Sequence, residues 1–284
     1  MIRFEETDSP DVNLVLSVSR PIFAGRTAFQ TVEVFENPVF GRVLALDGIV
    51  QTSEGDEFVY HEMLVHPAML GHGAVRRVLI IGGGDGGALE EVLKHPVERV
   101  TMVEIDREVI ALCKAHLPAV CGDAFNDPRL DLVIGDGLEF VAETDQQFDL
   151  ILVDSTDPVG PGKVLFEAPF YGDCQRRLAP GGVMITQNAV PFLQGEVVRD
   201  PVARLGALFA DVAVYLTTVP TFIGGPMAFV WSAESDVARK TPPETLAKRL
   251  AESGIAMRYY TPEVQAAAFV LPGYVRDLIA PDGD

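Results

Sequence analysis

No stretch of this 284-residue chain approaches the ~18 to 20 uninterrupted apolar residues of a membrane-spanning helix, so neither a membrane span nor a membrane partner is expected. Basic residues are also short. Lys and Arg number 22 against 41 Asp and Glu, a formal charge of −19, and such a surface repels the phosphates of nucleic acid. The same field concentrates small cations, although acidity also serves solubility. Cysteine is scarce: Cys113, Cys121 and Cys174 are too few and too scattered for a disulfide framework or a CxxC zinc knuckle, which predicts reduced structural thiols. The histidines His61, His66, His72, His95 and His116 show no HxxxH or similar pairing with acids, so no metal is expected. The opening MIRFEETDSPD is acidic where a signal peptide would be basic and then apolar, which predicts a cytoplasmic location.

What remains is a globular composition, 48% hydrophobic and 22% charged. Residues 1–70 read as a small antiparallel β-domain with a connecting helix. Its strands are LVLSV, TAFQTVEVFEN and GRVLALDGIVQT, with turn signals at Asn37-Pro38 and Asp47-Gly48, and the helix runs from Asp56 to Leu70. From 71 to 284 the pattern changes. Apolar runs (RRVLIIGG, ERVTMVEID, LDLVIGDG, FDLILVDS, GGVMITQN) alternate with helical periods, the signature of an α/β, Rossmann-like domain of methyltransferase type with a mainly parallel sheet. Ligands of such sheets bind beyond the carboxyl ends of the strands, and there the chain carries Asp85, Glu104, Asp136 and Asp154.

Gly82-Gly83-Gly84-Asp85-Gly86-Gly87 satisfies G-x-G-x-x-G between a strand and a helix, and Glu104 lies twenty residues beyond Gly84, where it can accept both ribose hydroxyls of a nucleoside. Asp85 discriminates among nucleosides. It would repel a pyrophosphate, or the carboxylate of an intact methionine tail, and attract an ammonium. An adenosyl ligand with an amine but no carboxylate fits best, and Asp136-Gly137 then stands where the adenine amino group needs an acceptor. In DSTDPVGPG, Asp154 and Asp157 lie three apart on a stiff, hinged loop, and with Asp85 they form a carboxylate cluster suited to a diamine.

The strings GRVLALDGIVQT, DEFVYHEM, VLIIGGGDGG, VEID, NDPRL, GDG, DSTDPVGPG, LFEAPFY and FVLPGY resemble the spermidine synthase family of polyamine aminopropyltransferases over most of the chain. The resemblance implies aminopropyl transfer from decarboxylated S-adenosylmethionine, a co-substrate rather than a cofactor, to putrescine, giving spermidine and methylthioadenosine. It implies that Gln30, Gln51, His61, Asp85, Glu104, Asp136, Gly137 and Pro161 surround the donor, and that Tyr60, Asp154, Ser155, Thr156, Asp157 and Gln187 hold the diamine. Asp154 is then the proton acceptor, assisted by Tyr60, and a homodimer or homotetramer is implied. Burial and Asp157 are expected to raise the pKa of Asp154. Two departures fall on the acceptor side: Phe222 replaces the family's tyrosine, and the family's N-terminal tryptophan is absent, Trp231 being the only one. The alternatives are another acceptor (cadaverine, agmatine or spermidine) and an S-adenosylmethionine-dependent methyltransferase.

Overall fold

A computed structural model describes residues 2–6, 11–156 and 165–280. At the N-terminus β1 (Ile2–Glu5) pairs antiparallel with β2 (Val15–Val18). An antiparallel sheet of β3 (Arg20–Arg26), β4 (Thr31–Asn37), β5 (Gly41–Leu46) and β6 (Ile49–Ser53) follows. Alternation along β4 and β5 divides their apolar residues between two faces. Phe35, Val43 and Ala45 pack with Phe4 of β1. Val32, Val34, Leu44 and Leu46 pack on Val109 and Cys113 of the helix α3 described below.

The segment TAFQTVEVFEN is not one strand. The Thr27 hydroxyl accepts the backbone N–H groups of Phe29 (3.1 Å) and Gln30 (3.2 Å), a local turn that ends β3 and delays β4 until Thr31. The strands β1 and β3 carry no clear alternation in sequence and emerge only from their pairing.

Helix α1 (Glu57–His72) is apolar on most of its circumference and buried, as a helix without a solvent face should be. It ends at Gly73, whose N–H caps Met69 O at 2.9 Å. Pro67 lies inside it and has no N–H for the carbonyl of Met63. The buried Tyr215 hydroxyl supplies that bond instead, at 2.9 Å. Glu62, also buried, accepts the N–H groups of Arg258, Tyr259 and Tyr260 at 2.7 to 2.8 Å, which ties α1 to the C-terminal segment.

The remaining chain gives β7 (Arg77–Gly82), α2 (Gly87–Leu93), β8 (Arg99–Glu104), α3 (Arg107–His116), α4 (Pro118–Cys121), β9 (Leu130–Ile134), α5 (Gly137–Glu143) and β10 (Phe148–Asp154). Then come α6 (Ala168–Arg177), β11 (Leu178–Gln187), α7 (Gly195–Gly206), β12 (Asp211–Thr217), β13 (Met227–Ala233), α8 (Pro243–Ser253), α9 (Pro262–Ala268) and α10 (Gly273–Ile279). One seven-stranded sheet has the order β12-β13-β11-β10-β7-β8-β9. Its β11-β10-β7-β8-β9 portion is parallel, and β13 runs antiparallel to both neighbours. The expected α/β, Rossmann-like fold with a small antiparallel sheet before it is what the chain adopts. Strand order reverses between β7 and β10, whose last residues Gly82 and Asp154 are paired, so a crevice opens there. The three cysteines are buried and free, and Trp231 is buried within β13. Among the described residues no helix is long and apolar enough to cross a membrane.

Candidate active site

A cavity of about 560 Å³ occupies the crevice at the β7/β10 switch point, between the parallel sheet and the N-terminal strands. Its base is set by backbone geometry. Gly83 N–H bonds to Asp154 O at 2.8 Å, and at Gly82 (φ +84°) a Cβ would lie 2.2 Å from that same oxygen, so only glycine lets the two strand ends meet. Glu104, Asp136 and Asp154, at or just beyond the ends of β8, β9 and β10, join Asp85 in lining the cavity.

Asp85 Oδ1 accepts the Gly87 N–H at 2.9 Å, and its Oδ2 lies 3.5 Å from Nε2 of the buried His61. The other ring nitrogen of His61, Nδ1, is 2.8 Å from Glu57 Oε2. Burial alone would lower the His61 pKa, but Asp85 and Glu57 outweigh it and push it well above the ordinary histidine range. Asp85 is correspondingly held below its usual range: burial acts to raise it, and the His61 imidazolium and the Gly87 N–H prevail. His61, Asp85 and Asp154 offer atoms within 4.8 Å of one another. The raised pKa of His61 places a positive charge beside the two carboxylates of this cluster.

Asp154 Oδ1 accepts the Tyr60 hydroxyl at 2.5 Å. Burial first, and then the Asp85 charge, raise the Asp154 pKa to about 6, against the lowering effect of His61 and Tyr60. Among the described residues, the like charge facing Asp154 comes from Asp85. Asp157 and Pro161 lie outside the described residues. Tyr60 is held from behind by Phe229 (ring centroids 5.3 Å apart) and meets the edge of Phe222 (6.0 Å, 81°).

On the opposite side, Glu104 Oε1 accepts the Asp106 N–H at 2.8 Å, yet burial raises its pKa to about 7. Asp136 caps α5 through Leu138 N–H at 2.8 Å, and Gly137 opens that helix against Ile81. Gln30 lines the cavity from the turn before β4, its amide 3.1 Å from Asp106 Oδ2, and Gln51 lines it from β6. Ser155, Thr156, Gln187 and Phe222 complete the wall near Asp154. Gln187 also braces that wall: it donates to Ser155 O at 2.8 Å and accepts the N–H of Ala189 at 3.0 Å, a residue with φ of +53°. Every described residue predicted for the site lines this cavity except His61, which stands directly behind Asp85.

Against known proteins, the family model for the spermine/spermidine synthase domain matches residues 57–241, and that for the spermidine synthase tetramerisation domain matches residues 2–54. The chain belongs to the spermine/spermidine synthase family. Among its relatives, polyamine aminopropyltransferase 1 of Pseudomonas aeruginosa is 52% identical over 98% of both chains, and the polyamine aminopropyltransferase of Ruegeria sp. is 53% identical over 93% of both. A crystal structure of spermidine synthase in complex with the transition state analogue AdoDATO superposes with a TM-score of 0.93 at 36% identity, covering 98% of this chain and 94% of that one. The spermidine synthase of Thermotoga maritima gives 0.89 at 34% identity over the same shares. In this family member sequence reasoning passed over Glu57, Phe229, Asp106 and Ala189. Only Glu57 left a signal, its i,i+4 spacing from His61 on a helix the sequence did predict.

Proposed function

We propose that the protein transfers the aminopropyl group of decarboxylated S-adenosylmethionine to putrescine, releasing methylthioadenosine and spermidine. The observation that carries this reading is the pairing, in one cavity, of Asp85, backed by His61 at 3.5 Å, with Asp154, which accepts the Tyr60 hydroxyl at 2.5 Å and whose pKa is raised to about 6. Glu104 takes the ribose hydroxyls and Asp136 the adenine amino group, with Gln30, Gln51, Gly137 and Pro161 around the nucleoside. Asp85 takes the ammonium of the aminopropyl tail. Tyr60, Ser155, Thr156, Asp157, Gln187 and Phe222 hold the diamine against Asp154.

An alkylammonium with a pKa near ~10 presents about one neutral molecule in a thousand at neutral pH, a deficit of about 4 kcal/mol. Asp154 orients the amine behind the methylene attached to the sulfonium and accepts its proton as the C–N bond forms and the C–S bond breaks. The sulfonium charge is lost with the neutral thioether. An exposed aspartate would be a feeble base at a pKa near ~4, and the rise to about 6 brings Asp154 closer to the working pH. The family's tetramerisation domain at residues 2–54 supports a homotetramer, or a homodimer within it.

Phe222 and the absent N-terminal tryptophan favour one second reading, a longer amine such as spermidine as acceptor, because Phe222 makes the wall near Asp154 more apolar and the missing tryptophan alters the pocket's shape. The donor reading is tested by calorimetry. The decarboxylated donor should bind at least tenfold more tightly than intact S-adenosylmethionine, whose carboxylate would face Asp85. Equal affinities would point instead to methyl transfer.

A further inference from the structure

Neither Glu57 nor His61 lines the cavity, and His61 is 2% exposed. The contact between them is nevertheless built with care. Glu57 and His61 lie one helical turn apart on α1, so the carboxylate meets the ring edge at Nδ1. The opposite edge, Nε2, faces Asp85. The ring is packed so closely against the start of α2 that a Cβ at Gly87 would lie 2.1 Å from His61 Cε1, and Tyr60 meets it edge-on at 5.1 Å. A ring so enclosed cannot turn, and both nitrogens face carboxylates. Each nitrogen needs a proton in this arrangement, since a bare lone pair aimed at a carboxylate is repulsive.

We propose that Glu57 is a positioning residue for aminopropyl transfer, holding His61 as an imidazolium that serves as built-in counter-charge to the Asp85/Asp154 pair. This rests on the reading of the cavity given above. Without that cation the two neighbouring carboxylates share a proton before any amine arrives, and Asp85 no longer presents a full charge to the donor. The charged groups around the ring are Glu57 on α1, Asp85 after β7, Asp154 on β10 and, outside Glu57, Arg258 at 3.9 Å. Glu57 is the one of these carboxylates that serves His61 without lining the cavity.

The test joins the imidazole ¹⁵N shifts of the free protein, titrated from pH 6 to 9, to kcat/KM for the decarboxylated donor over the same range, in the parent and Glu57→Gln. The parent should keep His61 doubly protonated through pH 8. Glu57→Gln should bring the midpoint down into the titrated range, and its kcat/KM should fall about tenfold for each pH unit above that same midpoint. In Glu57→Gln/His61→Gln, which has no ring to titrate, that fall should vanish from the profile. An unchanged His61 midpoint, or a loss of activity equal at every pH, overturns the proposal. A parent without aminopropyl transfer would remove the functional reading instead, and the ¹⁵N titration would still decide whether Glu57 keeps His61 charged.

Discussion

Tyr60 and Asp154, separated by 94 positions in sequence, meet through a 2.5 Å hydrogen bond in which the phenol donates to Oδ1. That bond favours the carboxylate, so its loss in Tyr60→Phe raises the Asp154 pKa above its present value of about 6. The acidic limb of the pH–rate profile should move to higher pH. Turnover at neutral pH should fall about 10- to 100-fold, the worth of roughly 1.5 to 3 kcal/mol for a hydrogen bond to a charged group. A profile with an unmoved limb would show that Tyr60 does not tune Asp154.

Asp154→Asn separates stability from function. An acid whose folded pKa is raised contributes stability that is present below its unfolded pKa near ~4 and lost as pH rises through about 6. The amide has no such dependence. Relative to the parent, the variant should therefore gain stability between pH 4 and pH 7, measured by denaturant melts, while turnover drops by ~10² to 10⁴. A stability difference independent of pH would mean that Asp154 is not perturbed as described.

The strand-end acids were legible because a parallel sheet exports one loop per strand to the same edge, and Asp85, Glu104, Asp136 and Asp154 each follow an apolar run. The alternation of Val32, Val34, Leu44 and Leu46 likewise announced a sheet with a buried face. The junctions between elements were not legible. The hydroxyl of Tyr215 that repairs the Pro67 gap comes from a strand some 150 residues away, and the encounter of His61 with Asp85 obeys no motif spacing. The turn at Thr27, which delivers Gln30 to Asp106, depends on a side-chain bond that competes with strand propensity. Such relationships are products of packing, which a one-dimensional pattern does not encode.

Glu104 predicts a pH dependence for the nucleoside half of the site alone. Its pKa of about 7, raised chiefly by burial, means that a ligand needing the carboxylate to accept ribose hydroxyls must first displace a proton in acid. The affinity for methylthioadenosine, which carries no ammonium, should weaken by about tenfold for each pH unit below 7 and level off above it. Calorimetry at pH 6 and 8 measures this. Equal dissociation constants at both would remove Glu104 from ribose binding or show its pKa to be ordinary.

Phe222 packs against Tyr60 and lines the cavity shared with Asp154, so Phe222→Tyr adds a hydroxyl where the amine is proposed to sit. A hydrogen bond to a charged partner is worth about 1.5 to 3 kcal/mol. The variant should lower KM for putrescine by at least tenfold with turnover changed less. Unchanged constants for putrescine, cadaverine, agmatine and spermidine alike would show that position 222 does not read the acceptor.

The proposed aminopropyl transfer directed by Asp85 and Asp154 is tested by incubating the protein with decarboxylated S-adenosylmethionine and each of those four amines and identifying both products by mass. The account predicts methylthioadenosine in equal amount to an amine lengthened by one aminopropyl unit, fastest with putrescine, and no methylated amine when intact S-adenosylmethionine is supplied. Methylated amine with S-adenosylhomocysteine, or no methylthioadenosine with any of the four acceptors, would contradict it.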